Sequence, residues 1–559
     1  MSGSYAVMEA LIANGVDTIF GYPGGAIMPI YDALYDYRDK LRHILVRHEQ
    51  GATHAAEGYA RLTGKAGVCF ATSGPGATNL VTGIADALLD SVPMVCITGQ
   101  VTRQLLGTDA FQETDVIGIT MPITKWNYQV TSAEEIPEII SKAFQIAEGG
   151  RPGPVVIDIT KNAQIDLAEY TFKPHQLKPH MWSQPEPKEE LLRKAAELIN
   201  DAERPFLFIG HGVLISQAEE EVRKFVECSG TPVASTLHGL SAFPTDHPLY
   251  VGMLGMHGNY GPNLLTNEAD VIIAIGMRFD DRVTGDLSRY ARDAKVIHID
   301  LDAAEIGKNI SPTVGICADA KSALIGMLPH IQKNSHPEWV ERFRECDEAE
   351  NREVLQGELY PTTGKIKMGE VIRRLSEATN GEAVIVADVG QHQMMAARYY
   401  RFKQTNSFVT SGGLGTMGFA IPAAFGAQVA APERPVIAVV GDGGIQMNIQ
   451  ELGTIAQEQL PVKIVLLNNN FLGMVRQWQE LFFENRYSFV DLKNPDFQKL
   501  ADGFGIRSLL VSERSQLDQA IELMLETEGP FLLEVRVEKE QNVFPMVPTG
   551  SSVSEVRLK

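Results

Sequence analysis

The chain has 559 residues, enough for about three to four domains of ordinary size. It is 44% hydrophobic and 21% charged, the balance of a globular protein with large cores. Forty-nine Lys and Arg face 70 Asp and Glu, a net charge of −21, which argues against nucleic acid or an anionic membrane as a partner because both need a basic face.

The five cysteines (Cys69, Cys96, Cys228, Cys317, Cys346) are scattered, odd in number and without a Cys-x-x-Cys pair; Cys69 and Cys96 fall in expected buried strands and read as small hydrophobes in a reducing compartment. No apolar run approaches the length of a membrane-crossing helix, and Met1-Ser-Gly-Ser-Tyr-Ala-Val has no basic segment leading into an apolar one. The chain therefore reads as cytoplasmic.

In chain order, residues 4 to about 165 alternate strands and helices. Candidate strands at 67–72, 93–98 and 153–159 are almost continuously apolar, so both faces are expected to be buried, and helices are expected over 4–14 and 79–89. Residues 166–190 lose periodicity and gain Pro174, Pro179, Pro185 and Pro187, which marks a linker. A second alternating unit spans 191–330, with strands near 205–210, 270–276 and 295–300. Residues 331–362 form a charged, partly helical connector. A third unit, 363–537, carries strands at 383–388, 435–440, 462–467 and 530–537, and the tail 538–559 shows no clear element. The pattern is α/β throughout: three doubly wound parallel-sheet domains in series.

The most informative stretch is Gly441-Asp442-Gly443-Gly444, which follows one apolar strand, with Asn468-Asn469-Asn470 closing the next. Both polar ends fall past the carboxyl ends of strands, where open parallel sheets bind ligands. Tight glycines let backbone N–H groups approach a phosphate, and hard oxygens from Asp442 and an Asn suit Mg²⁺. A Mg²⁺–diphosphate site is the reading preferred over a plain βα turn.

Other motifs leave two readings open. Gly21-Tyr-Pro-Gly-Gly25 is a βα turn or a place where a ligand meets backbone. Glu49, in Arg47-His-Glu-Gln50, is a helix-dipole partner or a partly buried carboxyl that exchanges a proton with a heterocycle nitrogen. Thr72-Ser-Gly-Pro-Gly-Ala-Thr-Asn79 binds an anion or tightens packing. Lys161 lies at a pocket rim or in solvent. Arg278 and Asp300, at strand ends of the second unit, serve a dinucleotide or the fold alone; no Gly-x-Gly-x-x-Gly follows its first strand.

Taken together, these motifs resemble the large catalytic subunits of the acetohydroxyacid synthase (acetolactate synthase) family, within the thiamine-diphosphate enzyme superfamily. The resemblance covers nearly the whole chain. It also rests on Gly107-Thr-Asp-Ala-Phe-Gln-Glu113, Leu254-Gly-Met-His-Gly258, Arg278-Phe-Asp-Asp-Arg-Val-Thr-Gly285, Asp388-Val-Gly-Gln-His-Gln393, Ser411-Gly-Gly-Leu-Gly-Thr-Met-Gly418 and Gly473-Met-Val-Arg-Gln-Trp478.

The resemblance implies a pyrimidine-binding first domain (1–165), a central FAD-binding domain (191–330) and a C-terminal domain for diphosphate and Mg²⁺ (363–537). It implies that Glu49 hydrogen-bonds the aminopyrimidine of thiamine diphosphate, promoting the tautomer that activates the thiazolium carbon; the activated ring attacks pyruvate and acts as electron sink when CO₂ leaves. Gly25, Gln112 and Lys161 would line the reaction centre. Asp442, Asn469 and the Phe471 carbonyl would hold Mg²⁺. Gln391, His392, Gly415, Gly441, Gly443, Gly444 and Met474 would contact the cofactor, with Met417 wedging it into a bent form. Arg282 would grip the second ketoacid's carboxylate, while Trp478, Met474, Met256 and Phe111 form an apolar wall favouring 2-ketobutyrate over pyruvate by about 1 kcal/mol. Arg151, His257, Arg278, Asp300 and Asp319 resemble FAD-binding positions, with the FAD structural.

The implied reaction is the first common step of branched-chain amino-acid synthesis, giving 2-acetolactate or 2-aceto-2-hydroxybutyrate. The implied assembly is a homodimer, or a dimer of dimers, with the site at the interface. Association with a small valine-sensing regulatory subunit is left open. The Arg-Phe-Asp-Asp-Arg pattern separates the chain from catabolic acetolactate synthases, and the Gln-Trp segment separates it from pyruvate oxidases. Two departures, Thr160-Lys-Asn162 for Pro-Lys-Asp and Ala318-Asp319 for Gly-Asp, affect loop detail and FAD-edge contacts.

Overall fold

A computed structural model of the chain describes residues 1–171 and 185–559, so Pro174 and Pro179 of the linker lie outside the described residues. The first sheet contains β1 (Thr18–Gly21), β2 (Arg42–Leu45), β3 (Gly67–Ala71), β4 (Met94–Gln100), β5 (Trp126–Val130) and β6 (Pro154–Thr160). The second contains β7 (Pro205–Ile209), β8 (Val233–Ser235), β9 (Tyr250–Met253), β10 (Val271–Ile275), β11 (Lys295–Asp300) and β12 (Val314–Cys317). The third contains β13 (Val384–Ala387), β14 (Phe408–Thr410), β15 (Val436–Gly441), β16 (Lys463–Asn468), β17 (Arg507–Val511) and β18 (Phe531–Arg536). The strand pairs of all three sheets are parallel. Helices cover both faces, which is why the central strands read as unbroken apolar runs.

Strand order locates the ligand sites. The first sheet runs β2-β1-β3-β4-β6-β5, and the third repeats that order as β14-β13-β15-β16-β18-β17. In both, the chain reverses direction between the first and third strands, where a crevice opens at the carboxyl ends. That crevice falls at Gly21 and Ala71 in the first sheet, and at Ala387 and Gly441 in the third. The second sheet runs β12-β11-β10-β7-β8-β9, the order of dinucleotide-binding sheets, with its switch between β7 and β10. There Gly210 and Gly276 meet so closely that a Cβ on Gly210 would lie 2.2 Å from the Gly276 carbonyl oxygen.

The helix expected over 79–89 forms as two pieces, Pro75–Asn79 and Val81–Asp90, because Pro75 opens a first turn before the longer helix starts. The tail also differs from expectation. Val543, Met546, Val547 and Val553 are buried, Val547 N–H donates to the Met256 carbonyl (2.8 Å), and Val553–Glu555 forms a capped turn. Four spaced apolar residues suffice to pin an otherwise irregular strand of chain.

The first and third sheets share one core. Its centre is the crossing of Glu49–Thr63 with Ala420–Ala430, where a Cβ on Gly58 or on Gly426 would lie about 2 Å from a carbonyl of the facing helix (2.0 and 1.9 Å). Small residues let the two backbones touch, and the Glu49 helix is buried nearly all round. The seam also encloses polar groups. His54 Nδ1 lies 2.9 Å from Glu57 and 3.9 Å from Asp86, Ser411 donates to Asp86 (2.8 Å), and the Glu57 Oε2 and Asp86 Oδ2 atoms have no partner.

Burial pushes the carboxyls of Glu57 and Asp86 well up, so both hold protons more tightly when folded than when unfolded. Between the two states' pKa values each of these carboxyls binds its proton in the folded chain and not in the unfolded one, so the stability these two groups contribute falls as pH rises from about 4 upward. Asp86→Asn removes one such group. The variant is expected to lose less stability than the parent between about pH 5 and pH 8, a difference on the order of 1–3 kcal/mol, read from denaturant midpoints.

Candidate functional site

The third sheet builds a cradle at its switch point. β15 delivers Gly441 and then Asp442, which opens the short helix Asp442–Ile445; β13 delivers Asp388, and Gln391–Tyr399 follows. His392 lies between the two strand ends, its ring 2.7 Å from a Cβ on Gly441 and 2.8 Å from one on Gly390, so a side chain at either place would have to displace the imidazole. Burial pushes the His392 imidazole down to about 3, which leaves it neutral, and its Nε2 has no partner. Thr416 Oγ1 and Gln391 Oε1 are likewise buried without partners. Met417 lies over Gly443, its Cε 3.5 Å from where a Cβ would be. Asp388 is fully buried and accepts hydrogen bonds from the N–H groups of Val389 (2.8 Å), Gly418 (3.0 Å) and Ala420 (3.1 Å), which fixes the Ser411–Gly418 loop.

Asp442 is buried, and burial pushes its carboxyl up to about 6. The Asn494 amide donates to Asp442 Oδ2 (2.6 Å), Asn468 Oδ1 (3.1 Å) and Asn470 Oδ1 (3.2 Å). Three oxygens converging on one two-hydrogen amide is an electronegative arrangement that fits a small hard cation. Of the other expected ligands, Asn469 Oδ1 accepts from the Phe471 N–H (3.1 Å), and its amide nitrogen lies beside Gly473. The unpartnered His392 Nε2 and Thr416 hydroxyl, the close-lying glycines and the oxygen cluster fit a Mg²⁺–diphosphate group.

Beside the cradle is a cavity of about 810 Å³ that all three units help to line, within the range of small-molecule sites. Gly390, Gly415, Met417, Met474 and Trp478 come from the third unit, and Met474 and Trp478 share one face of Gly473–Phe482 four residues apart. Met256, His257, Arg278, Arg282, Asp300 and Asp319 come from the second, and Arg151 from the first. Arg282 packs against the Met256 sulfur (3.7 Å). Arg278 donates to the Leu89 carbonyl (3.0 Å), and Arg151 bonds Ser91 (2.8 Å) and Glu305 (2.8 Å). Burial moves Asp300 up to about 6 and His257 down to about 3, and His257 Nδ1 has no partner. Asp319 caps the helix Ala320–Met327 through the Ser322 N–H (3.0 Å). A dinucleotide-type strand order with two arginines and an orphaned imidazole at the cavity wall fits FAD.

A third group stands on the first sheet. Glu49 begins its helix at 9% exposure, and Asn79 donates to its Oε2 (2.9 Å). A Cβ on Gly76 would touch Glu49 Oε1 at 3.3 Å, and one on Gly74 would meet the Gln112 carbonyl oxygen at 2.8 Å, so the glycine turn sits between the two side chains' segments. Gln112 adopts a left-handed φ of 61°, and the Glu113 carboxylate binds the N–H groups of Gly107 and Ala110 to hold that loop. Lys161 Nζ donates to the Gly25 carbonyl (3.3 Å). Gly25, Glu49, Phe111, Gln112 and Lys161 do not line the 810 Å³ cavity of their own chain. Phe111, grouped above with Trp478, is 88% exposed.

Comparison with known proteins decides what the three groups belong to. Residues 1–119, 192–327 and 388–535 match the N-terminal TPP-binding, central and C-terminal TPP-binding domains of thiamine pyrophosphate enzymes. The chain is 47% identical over 567 residues to the acetolactate synthase isozyme 2 large subunit of Escherichia coli K12, covering both proteins fully. It is 48% identical to the chloroplastic acetolactate synthase 2 of Nicotiana tabacum, over 99% of this chain and 85% of that one. It is 47% identical to the acetolactate synthase large subunit of Parasynechococcus marenigrum, over 100% and 91%. The chain belongs to the acetolactate synthase family.

It is accordingly a thiamine-diphosphate-dependent enzyme, and the family's two TPP-binding domains are the ones bearing Glu49 and Asp442. No helix among the described residues is long and apolar enough to cross a membrane. Sequence reasoning overlooked several residues that shape this acetolactate synthase site: Asn79 on Glu49, Asp388 beneath the Ser411 loop, Asn494 on Asp442, and Glu451. Asn79 and Asp388 stood inside quoted motifs without a role. Asn494 follows Asp442 by 52 residues and carries no spacing signal.

Proposed function

We propose that the chain joins the two-carbon unit left by decarboxylation of pyruvate to a second 2-ketoacid, pyruvate or 2-ketobutyrate, with release of CO₂. The observation that carries this is the shared cavity, where Arg282 and Trp478 stand beside the cradle residues Gly415 and Met417. Arg282 binds the acceptor carboxylate, a planar bidentate task suited to guanidinium. Trp478, with Met474 and Met256, packs against the acceptor's alkyl group. Asp442, with Asn469 and the Phe471 carbonyl, would hold Mg²⁺, and His392 would donate to the diphosphate. Glu49 would exchange a proton with the pyrimidine ring, and Gln112, Lys161 and Gly25 would border the reacting atoms. Thiamine diphosphate, when bound, supplies the electron sink that the chain lacks. Arg278 and Asp300 would hold FAD at the cavity wall, in a structural role without net redox.

The same reading requires a second copy. Glu49 and its neighbours do not line their own chain's cavity, and large apolar side chains are exposed on both units: Phe111 and Met121 on the first, Phe483 and Phe489 on the third. A subunit interface would cover these side chains. A homodimer in which the Glu49 group of one chain meets the cradle of the other accounts for both. Dimers of dimers and a small regulatory subunit are further assemblies compatible with it, and five free thiols suit a cytoplasmic setting.

The test is product analysis from pyruvate with and without 2-ketobutyrate, after loading with thiamine diphosphate, Mg²⁺ and FAD. Acetolactate and acetohydroxybutyrate are expected; CO₂ with acetate and no acetolactate overturns the proposal. Trp478→Leu is expected to lower the preference for 2-ketobutyrate about 10-fold, since one methylene in an apolar pocket is worth about 1–3 kcal/mol. Competition between the two ketoacids measures it.

A further inference from the structure

We propose that Glu451 is a positioning residue for Glu49, tying the proton-exchanging carboxyl of the first unit to the diphosphate cradle of the same chain. Glu451 lies nine residues beyond Asp442, on the turn Ile449–Glu451, and its side chain is fully buried in the seam between the first and third units. Its Oε1 accepts the N–H groups of Arg47 (3.0 Å) and His48 (2.9 Å), the two peptide units immediately before Glu49. Its Oε2 accepts the Thr454 hydroxyl (2.7 Å). The Arg47 guanidinium then runs along the next helix to Gln457 (2.8 Å). Gly51 leaves room for the carboxylate: a Cβ there would lie 2.5 Å from Glu451 Oε1.

Burying a carboxylate costs several kcal/mol unless its hydrogen bonds are made, and the helix crossing at Gly58 and Gly426 in the same seam shows that the two units also pack through small residues that need no charge. What the carboxylate adds is direction. The first N–H groups of a helix have no intrahelical partner, and those just ahead of the Glu49 helix are satisfied by the neighbouring unit instead of by water. Asn79 holds the Glu49 carboxylate from the side, and Glu451 fixes the backbone from which it projects.

Resting on the two-chain reading above, each Glu451 therefore links one cofactor site, through its own cradle, to the other, through its own Glu49. Hybrid dimers test this. In each, Glu49→Gln silences one site and leaves a single live one, and the readout is deuterium exchange at the thiazolium carbon of bound cofactor, followed by NMR without turnover. In the first hybrid, a Glu49→Gln/Glu451→Gln chain pairs with the unaltered chain, so the live Glu49 keeps its own Glu451. In the second, a Glu49→Gln chain pairs with a Glu451→Gln chain, so it does not.

The expected result is exchange at the unaltered per-site rate in the first hybrid and about tenfold slower in the second, with thiamine diphosphate affinity within about threefold in both. Slowing in both hybrids, slowing in the first alone, or no slowing in either overturns the proposal. Should Glu451→Gln fail to assemble, Gly51→Ala takes its place in the same two hybrids, since its Cβ displaces the carboxylate without removing it. Complementation between Glu49 and Asp442 variants, which contain no change at Glu451, tests the two-chain reading separately.

Discussion

Glu49→Gln is expected to lower acetolactate formation about a thousandfold while leaving cofactor affinity within a few-fold, because a positioned proton-transfer group contributes about 10²–10⁴-fold. Glutamine matches the shape of glutamate and keeps an oxygen for the Asn79 amide, so the local packing survives. It cannot take up and return a proton. Loss should therefore appear in kcat and in the rate of deuterium exchange at the thiazolium carbon. A Glu49→Gln enzyme that exchanged at the parental rate would show that the carboxyl serves the fold alone.

Asp442→Ala is expected to act on binding instead. Asp442 is the one carboxylate in the oxygen cluster it forms with Asn468 and Asn470 around the Asn494 amide. Removing it leaves only neutral oxygens for a divalent ion, and losing one charge-assisted contact, on the order of 3 kcal/mol, weakens retention about 100-fold. Thiamine diphosphate affinity measured at fixed Mg²⁺ should fall by that factor, and activity should recover in part as Mg²⁺ and cofactor are raised. The two variants thus separate: Glu49→Gln binds and does not react, whereas Asp442→Ala reacts only when forced to bind.

The contrast explains how much of this molecule could be read from its sequence. Runs such as Val436–Gly441 and Lys463–Asn468 declare buried parallel strands by unbroken hydrophobicity, and the glycines and carboxylate at their ends declare a ligand site, because both signals are local. The three-unit series and the place of the cradle follow from them. Strand order does not, since it depends on which helices cross which faces; the order of the second sheet supplies the dinucleotide signature that the absent glycine motif withheld.

Side-chain roles set by distant partners were also illegible. Glu451 meets the Arg47 N–H across 404 residues, Ser411 meets Asp86 across 325, and nothing in the sequence around Asn79 aims it at Glu49. The tail 538–559 was similarly opaque, because its order comes from burying Val543, Met546 and Val553 against the rest of the chain and not from its own periodicity. Resemblance to a family supplied roles for Glu49, Arg282 and Trp478. Where those residues stand relative to one another is a matter for the coordinates: Arg282 and Trp478 line one cavity, and Glu49 of the same chain does not line it.

That separation makes one measurement decisive. Neither Glu49→Gln nor Asp442→Ala chains alone should form acetolactate at working cofactor concentrations. If the Glu49 group of one chain completes the cradle of another, a dimer containing one of each variant holds one doubly damaged site and one intact site. Mixed at equal amounts and allowed to reassort, half the dimers are hybrids with one working site each, and activity should return to about a quarter of that of the unaltered enzyme. If Glu49 and Asp442 serve the same cofactor within one chain, every site in the mixture carries a lesion. Activity no higher than that of the parents would then contradict the shared site.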